Sequence, residues 1–345
     1  MSEALVELIR SGLVDEIHRG DLAVVSADGE LRFAVGDPLH KVAFWRSSAK
    51  PFQALPLIAS GGAERLGLSS EDIALIAASH GGEPVHVDRV ASLLARTGHR
   101  IEDLECGAHA PLDPEAAHDL ERHGEAPTAL HNNCSGKHAG LLALADELGA
   151  PFPGYRLPGH PVQEAILESV GCFTGLERRQ IAIGLDGCGV PCFGISIYRM
   201  ALAFARLLAP GDEIPGAFRD AAGVVRGAMM QHPYLVAGRK RIDTDLMSQL
   251  PGAILSKVGA GGVHCIGLPG GIGVAVKIED GAGSSPAGGA AGVAALEALR
   301  QLEVLDTASW VALEEHARPA IRSVAGELAG NAQAAFELRR PASRT

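Results

Sequence analysis

Val263-His264-Cys265-Ile266-Gly267-Leu268, then Pro269-Gly270-Gly271, then Ile272-Gly273-Val274-Ala275-Val276-Lys277-Ile278 reads as two paired strands across a Pro/Gly turn. Asp280-Gly281 ends the second strand, and Ala287–Leu302 follows as an alanine-rich helix. A second hairpin stands far away in sequence. Leu22-Ala23-Val24-Val25 runs to a turn at Asp28-Gly29 and returns as Leu31-Arg32-Phe33-Ala34-Val35. Residues 4–12 form a short amphipathic segment before it.

Between the hairpins the pattern is mainly helical. A helix starts after Trp45, where Pro51 is tolerated because the first turn needs no N–H. Glu71–Ser79 is an apolar, strand-like run that breaks at His80-Gly81-Gly82. Pro84–Thr97, Ser135–Leu148, Pro161–Val170, Ile195–Leu208 and Ala217–Gln231 read as helices. Residues 107–128 look irregular. Gln180–Leu185 is a short β run into a turn at Asp186–Pro191, and Arg339–Thr345 reads as a loose tail. Hairpin, helices, then hairpin and helix predict an α+β fold in which distant segments share a central antiparallel sheet with flanking helices. The expected organisation is a single catalytic unit over 1–345. If it divides, it forms two intimate lobes: a sheet lobe from about 1–60 and 240–345, and a mainly helical middle from about 61–239.

The 345 residues are 47% hydrophobic but only 4% aromatic, so the core is aliphatic. A net charge of −11 argues against nucleic acid or an anionic membrane as partner. No window approaches the roughly 18 apolar residues of a membrane span, and no secretory signal is visible. A cytoplasmic location and six reduced cysteines are the resulting expectations.

A nucleophile–lysine spacing occurs twice. Ser47-Ser48-Ala49-Lys50 is S-x-x-K, and Cys134-Ser135-Gly136-Lys137 is C-x-x-K. Residues three apart share a helix face, so the amine of a neutral lysine reaches the hydroxyl or thiol and takes its proton. Ser47 or Ser48 is also an ordinary helix cap. Ser79, before Gly81-Gly82, points into a cleft or bonds its own turn. Lys257, before the glycine run Gly259–Gly262, completes a second Ser–Lys pair with Ser79 or lies at the surface. Arg46 suits a substrate carboxylate, and His80 and Asp186 are further candidates for substrate contact. Arg241, Asp243 and Asp245 read as a solvated turn that could support a site. Cys134 opens a helix within His131-Asn132-Asn133-Cys134-Ser135-Gly136-Lys137-His138, where the dipole lowers a thiol pKa. With Cys188 it could offer two thiolates to Zn²⁺, with His131 or His138 as conventional further ligands.

The segments Trp45–Pro51, Ala78–Glu83, His131–Gly140, Asp186-Gly187-Cys188-Gly189-Val190-Pro191, Arg241–Thr244 and Lys257–Ala260, in this order, resemble the Rhizobium-etli-type, or class 3, L-asparaginases. The resemblance runs from about His18 to Asp280. It implies a fold similar to serine β-lactamases and glutaminases, a homodimer, and hydrolysis of L-asparagine to L-aspartate and ammonia. It implies two Ser–Lys pairs, Ser47 with Lys50 and Ser79 with Lys257. It also implies a zinc ion on Cys134, Lys137 and Cys188. Two positions depart from the family pattern: Gly261 stands for an acid, and Ser284-Ser285 for an Arg-Ala pair. The competing readings are a cysteine hydrolase using Cys134 with Lys137, a non-catalytic metal- or amino-acid-binding protein on a degenerate scaffold, and a penicillin-interacting protein. The last lacks an evident K-T-G motif.

Overall fold

The protein is described here from a computed structural model, over residues 1–281 and 289–341. Eleven strands occur among them: β1 (Glu3–Arg10), β2 (Leu13–Ser26), β3 (Leu31–Val35), β4 (Val42–Phe44), β5 (Ala182–Leu185), β6 (Pro191–Ser196), β7 (Leu255–Gly259), β8 (Val263–Leu268), β9 (Ile272–Ile278), β10 (Ala320–Arg322) and β11 (Leu328–Ala334). The chain forms two compact units. One comprises Met1–Ser48, Gly194–Gly211 and Lys240–Thr345; the other comprises Ala49–Phe193 and Asp212–Arg239. The fold class is α+β with a central antiparallel sheet, as expected.

The first unit holds that sheet, in the order β10-β11-β1-β2-β9-β8-β7, with β3 also paired to β2. The hairpin read at 263–278 is β8–β9, in register from Val263↔Lys277 to Leu268↔Ile272. The hairpin read at 21–35 is β2–β3, and β2 also pairs β9 from Gly20↔Ile278 to Ser26↔Ile272. Every residue of β8 is buried, so both faces of that strand are covered. Helices Ile197–Leu208 and Gly289–Gln301 both pack on β8 and β9. Gly273 is required at the first contact, because any Cβ there would overlap the carbonyl of Ala201.

The second unit is mainly helical. Its central helix, Ser135–Glu147, buries every residue from Ser135 to Ala145. Helices Lys50–Ala59, Ser70–Ile76, Pro84–Arg96 and Pro161–Thr174 pack on it. Gly136 and Gly140 let Ser70–Ile76 approach: a Cβ on Gly140 would sit 2.6 Å from Ile76, and one on Gly136 would overlap the carbonyl of Leu75.

Several local expectations are corrected. The run read as strand-like at 71–79 is helical from Ser70 to Ile76, because Ser69 and Asp72 form a reciprocal capping box. The irregular stretch 107–128 contains the helix Pro114–His123, started by the Asp113 side chain on Ala116 N and stopped by Gly124 at φ 68°. Ile195 and Ser196 belong to β6, and the following helix starts at Ile197. Arg339 is tied down by a bridge to Ala34; residues 342–345 of the expected tail, and Ala287 and Gly288 of the expected helix, lie outside the described residues. Among the described residues no helix is long and apolar enough to cross a membrane.

Candidate active site

In the second unit the chemistry gathers around the first residue of helix Lys50–Ala59. Lys50 is 1% exposed. Its Nζ lies 2.6 Å from Ala78 O, 2.8 Å from Ser79 Oγ and 3.3 Å from Asn133 O. Burial pulls the Lys50 amine below its ordinary pKa; Cys134 opposes that and the Lys137 charge adds to it. Lys50 Nζ donates in all three contacts, to the two carbonyls and to the Ser79 hydroxyl oxygen. The sequence spacing pairs Lys50 with Ser47, whereas the hydroxyl observed on Lys50 is that of Ser79. Ser79 itself is 4% exposed and is held by its N–H on Val236 O at 2.9 Å.

His80 is fully buried and both ring nitrogens are engaged. Nδ1 accepts from Gly82 N at 3.1 Å, which leaves Nε2–H to donate to Ser135 Oγ at 2.9 Å. The ring stacks on His86 at 5.0 Å. These contacts make His80 a brace between the Ser79 turn and the start of the central helix.

That start carries the thiols. Cys134 is the N-cap, its N–H bonded to Asn132 Oδ1 at 2.8 Å. A bond from Cys188, and the charges of Lys50 and Lys137, overcome burial and hold the Cys134 thiol well below its usual range. Cys188, donating in that bond, is shifted upward. Lys137 Nζ contacts the Cys188 sulfur at 3.0 Å. Burial lowers the Lys137 pKa, but Cys188 and Cys134 outweigh it and raise the amine overall. Asp186 is half-buried at the turn that presents Cys188, and adds negative charge toward Lys137. Two sulfurs and one amine converge, a donor set that would suit a soft divalent cation once Cys188 and Lys137 give up their protons. Among the described residues there is no cluster of three or more His, Cys, Asp or Glu side chains that could hold a metal ion.

In the first unit Ser47 is partly exposed on the 3₁₀ turn Arg46–Ala49. Arg46 sits at φ 54°, a left-handed conformation that costs a non-glycine residue roughly 1–3 kcal/mol and clusters at functional sites. The turn is pinned to β7: Ser48 Oγ donates to Lys257 O at 2.7 Å, and Trp45 Nε1–H reaches the Cys265 sulfur at 3.4 Å.

Lys257 is fully buried in β7, where the sequence left a surface position open. Its Nζ donates to Val258 O at 2.9 Å and lies 3.6 Å from Asp243 Oδ2. Asp243, read from sequence as part of a solvated turn, is buried at the start of helix Ile242–Gln249. It accepts from Ser256 Oγ at 2.7 Å and from Val258 N at 3.0 Å. Burial pushes its carboxyl up, but Lys257, His264 and the backbone bond more than reverse this and hold it far below the carboxylate range. Asp243 was read as a possible site support but as solvated, whereas it is buried; Ser256 and His264 were missed, and the buried run around Lys257 was the available signal. Gly261, one of the departures, has φ 73° in the β7–β8 turn, where a side chain would be strained. Ser284 and Ser285 lie outside the described residues.

The sequence model of the L-asparaginase II family matches residues 6–334. No curated protein matches the chain. Among solved structures, Mglu in its native form aligns with 85% of this chain and 67% of its own at 14% identity and TM-score 0.45. Mglu in its glutamate form aligns with 84% and 62% at 16% identity and TM-score 0.44. The probable glutaminase ybaS aligns with 79% and 84% at 16% identity and TM-score 0.40.

Proposed function

The chain belongs to the L-asparaginase II family, and on that premise we propose that it is an amidohydrolase that converts L-asparagine and water to L-aspartate and ammonia by Ser–Lys chemistry. The observation that carries this reading is the buried Lys50 amine on the Ser79 hydroxyl at 2.8 Å. A lysine is a base only when neutral, and burial pulls the Lys50 amine in that direction.

In the proposed reaction Ser47 Oγ bonds to the side-chain amide carbon while its proton passes to Lys50. Ser79 relays protons to and from the Lys50 amine. The C–N bond breaks as the leaving nitrogen is protonated and departs as ammonia. Water then attacks the acyl-enzyme ester, giving aspartate and restoring Ser47. Ser47 is assigned the attack because it carries the S-x-x-K spacing and is the more open hydroxyl. Lys257, held by Asp243, is assigned to orient substrate, as are Arg46 and Asp186. Cys134, Lys137 and Cys188 are the residues that would hold zinc, which would supply fixed positive charge to the substrate side of the site. Class 3 membership, a homodimer and a cytoplasmic location are part of the same proposal, on the strength of the motifs and composition.

The test is ammonia release from L-asparagine and L-glutamine by purified protein, with mass-spectrometric mapping of the acylated residue after rapid acid quench. An acyl group on Ser47 supports the assignment; one on Ser79 transfers the attack to the hydroxyl already bonded to Lys50. The low thiol pKa at Cys134 favours a second reading, a cysteine hydrolase. A thioester on Cys134 would establish it. No ammonia from either amide in folded protein would sink the hydrolase reading.

A further inference from the structure

The proposed metal site has an outer layer that the motifs do not announce. His138 follows Lys137 on the central helix and is fully buried. Its Nδ1 lies 2.7 Å from the hydroxyl of Tyr155, which is also fully buried. Glu105 N–H donates to the same hydroxyl at 2.9 Å. The phenol oxygen accepts from the backbone, and its single proton is available to His138 Nδ1. A neutral imidazole that accepts at Nδ1 carries its hydrogen on Nε2. Nε2 is buried, has no partner at full hydrogen-bond geometry, and faces the Cys188 sulfur.

We propose that His138 and Tyr155 are positioning residues for the thiolate pair: Tyr155 fixes the His138 tautomer whose Nε2–H is presented to the Cys188 sulfur. This rests on the reading of Cys134 and Cys188 as metal ligands. A protonated Nε2 has no lone pair for a metal, so His138 supports the ligand set from outside it. An N–H aimed at a ligating thiolate stabilises its charge and fixes its direction, and losing such an outer partner typically weakens metal affinity by about 10–100-fold.

Two readouts on the full chain test it. Nitrogen-15 NMR of the histidine rings is expected to show His138 as the Nε2–H tautomer, turning into a mixture in Tyr155→Phe. Zinc affinity, measured with Zn²⁺ against a chromophoric chelator, is expected to fall about 10–100-fold in Tyr155→Phe and His138→Phe. His138→Gln, whose amide can accept from Tyr155 and donate to Cys188, should recover most of it, a rescue that loss of packing alone would not give. An Nδ1–H tautomer in the unaltered protein, or unchanged zinc affinity in both Phe variants, overturns the proposal. If the unaltered protein binds no zinc, the metal-site reading fails by itself. The tautomer then decides: a switch in Tyr155→Phe supports the His138 arrangement, and no switch overturns it.

Discussion

Lys257 Nζ stands 3.6 Å from Asp243 Oδ2 with both side chains withdrawn from solvent, and the separation is that of an ion pair rather than a hydrogen bond. The pair is held by other bonds: Ser256 and Val258 fix the carboxylate, and the Val258 carbonyl fixes the amine. Asp243→Asn leaves a buried ammonium without its counter-charge. We expect a loss of about 3 kcal/mol in urea unfolding at pH 7. The folded Asp243 pKa is depressed, so its stabilisation is fully present above the unfolded carboxylate value of about 3.9 and is lost as pH falls through the folded value. The gap between the two proteins should therefore hold from pH 7 to about pH 5 and close only in strong acid. A gap that closes above pH 5 would refute the pairing.

Lys50→Met removes the amine from Ser79 and should lower kcat for ammonia release by about 10²–10⁴-fold, the range for a lost general base. Lys50→Arg should not recover it, because a guanidinium stays charged. Recovery in the Arg variant would mean that Lys50 acts as a fixed charge and not as a base.

Gly273→Ala places a methyl on the Ala201 carbonyl and should cost about 3 kcal/mol or more. Gly270→Ala, at φ 75° with no atom near its Cβ position, should cost only about 1 kcal/mol from backbone strain. Thermal denaturation of both separates steric overlap from strain; equal losses would contradict the observed packing.

Asp72→Asn should destabilise by about 2 kcal/mol. Its carboxylate accepts from Ser69 N at 2.9 Å and is paired with Arg96 at 2.7 Å and Arg89 at 3.1 Å. Guanidinium chloride unfolding would measure it, and a change below about 0.5 kcal/mol would show that the cap and ion pairs are redundant.

Local patterns announced the parts of the fold that are local. The 263–278 and 21–35 hairpins were readable because turn residues interrupt apolar runs, and the central helix because Gly149 stops it. The helix at 114–123 carried its signals, Asp113-Pro114 and Gly124, within a polar stretch whose lack of apolar periodicity hid them. Ser70–Ile76 was misread because two turns of a buried helix and a buried strand share one composition. Pairing of β1 with β11 had no sequence cue, since register between residues so far apart depends on tertiary packing.

The site was legible as motifs and not as contacts. Spacing gave Ser47, Lys50, Cys134 and Lys137, because those intervals are helical. It could not give Lys50 on Ser79 or Asp243 near Lys257, whose partners arrive from other elements.

The sheet unit is assembled from three stretches of chain, and β1 lies between β2 and β11. As the polypeptide leaves the ribosome, β1 and β2 emerge more than 300 residues before β11 exists to pair with them. The first stretch of the helical unit, Ala49–Phe193, emerges before β7, β8 and β9. During synthesis the early strands must therefore wait with an open edge while helices form behind them, a period in which Leu13, Val14 and Ile17, exposed even in the finished molecule, are at hazard of pairing with a neighbouring nascent chain.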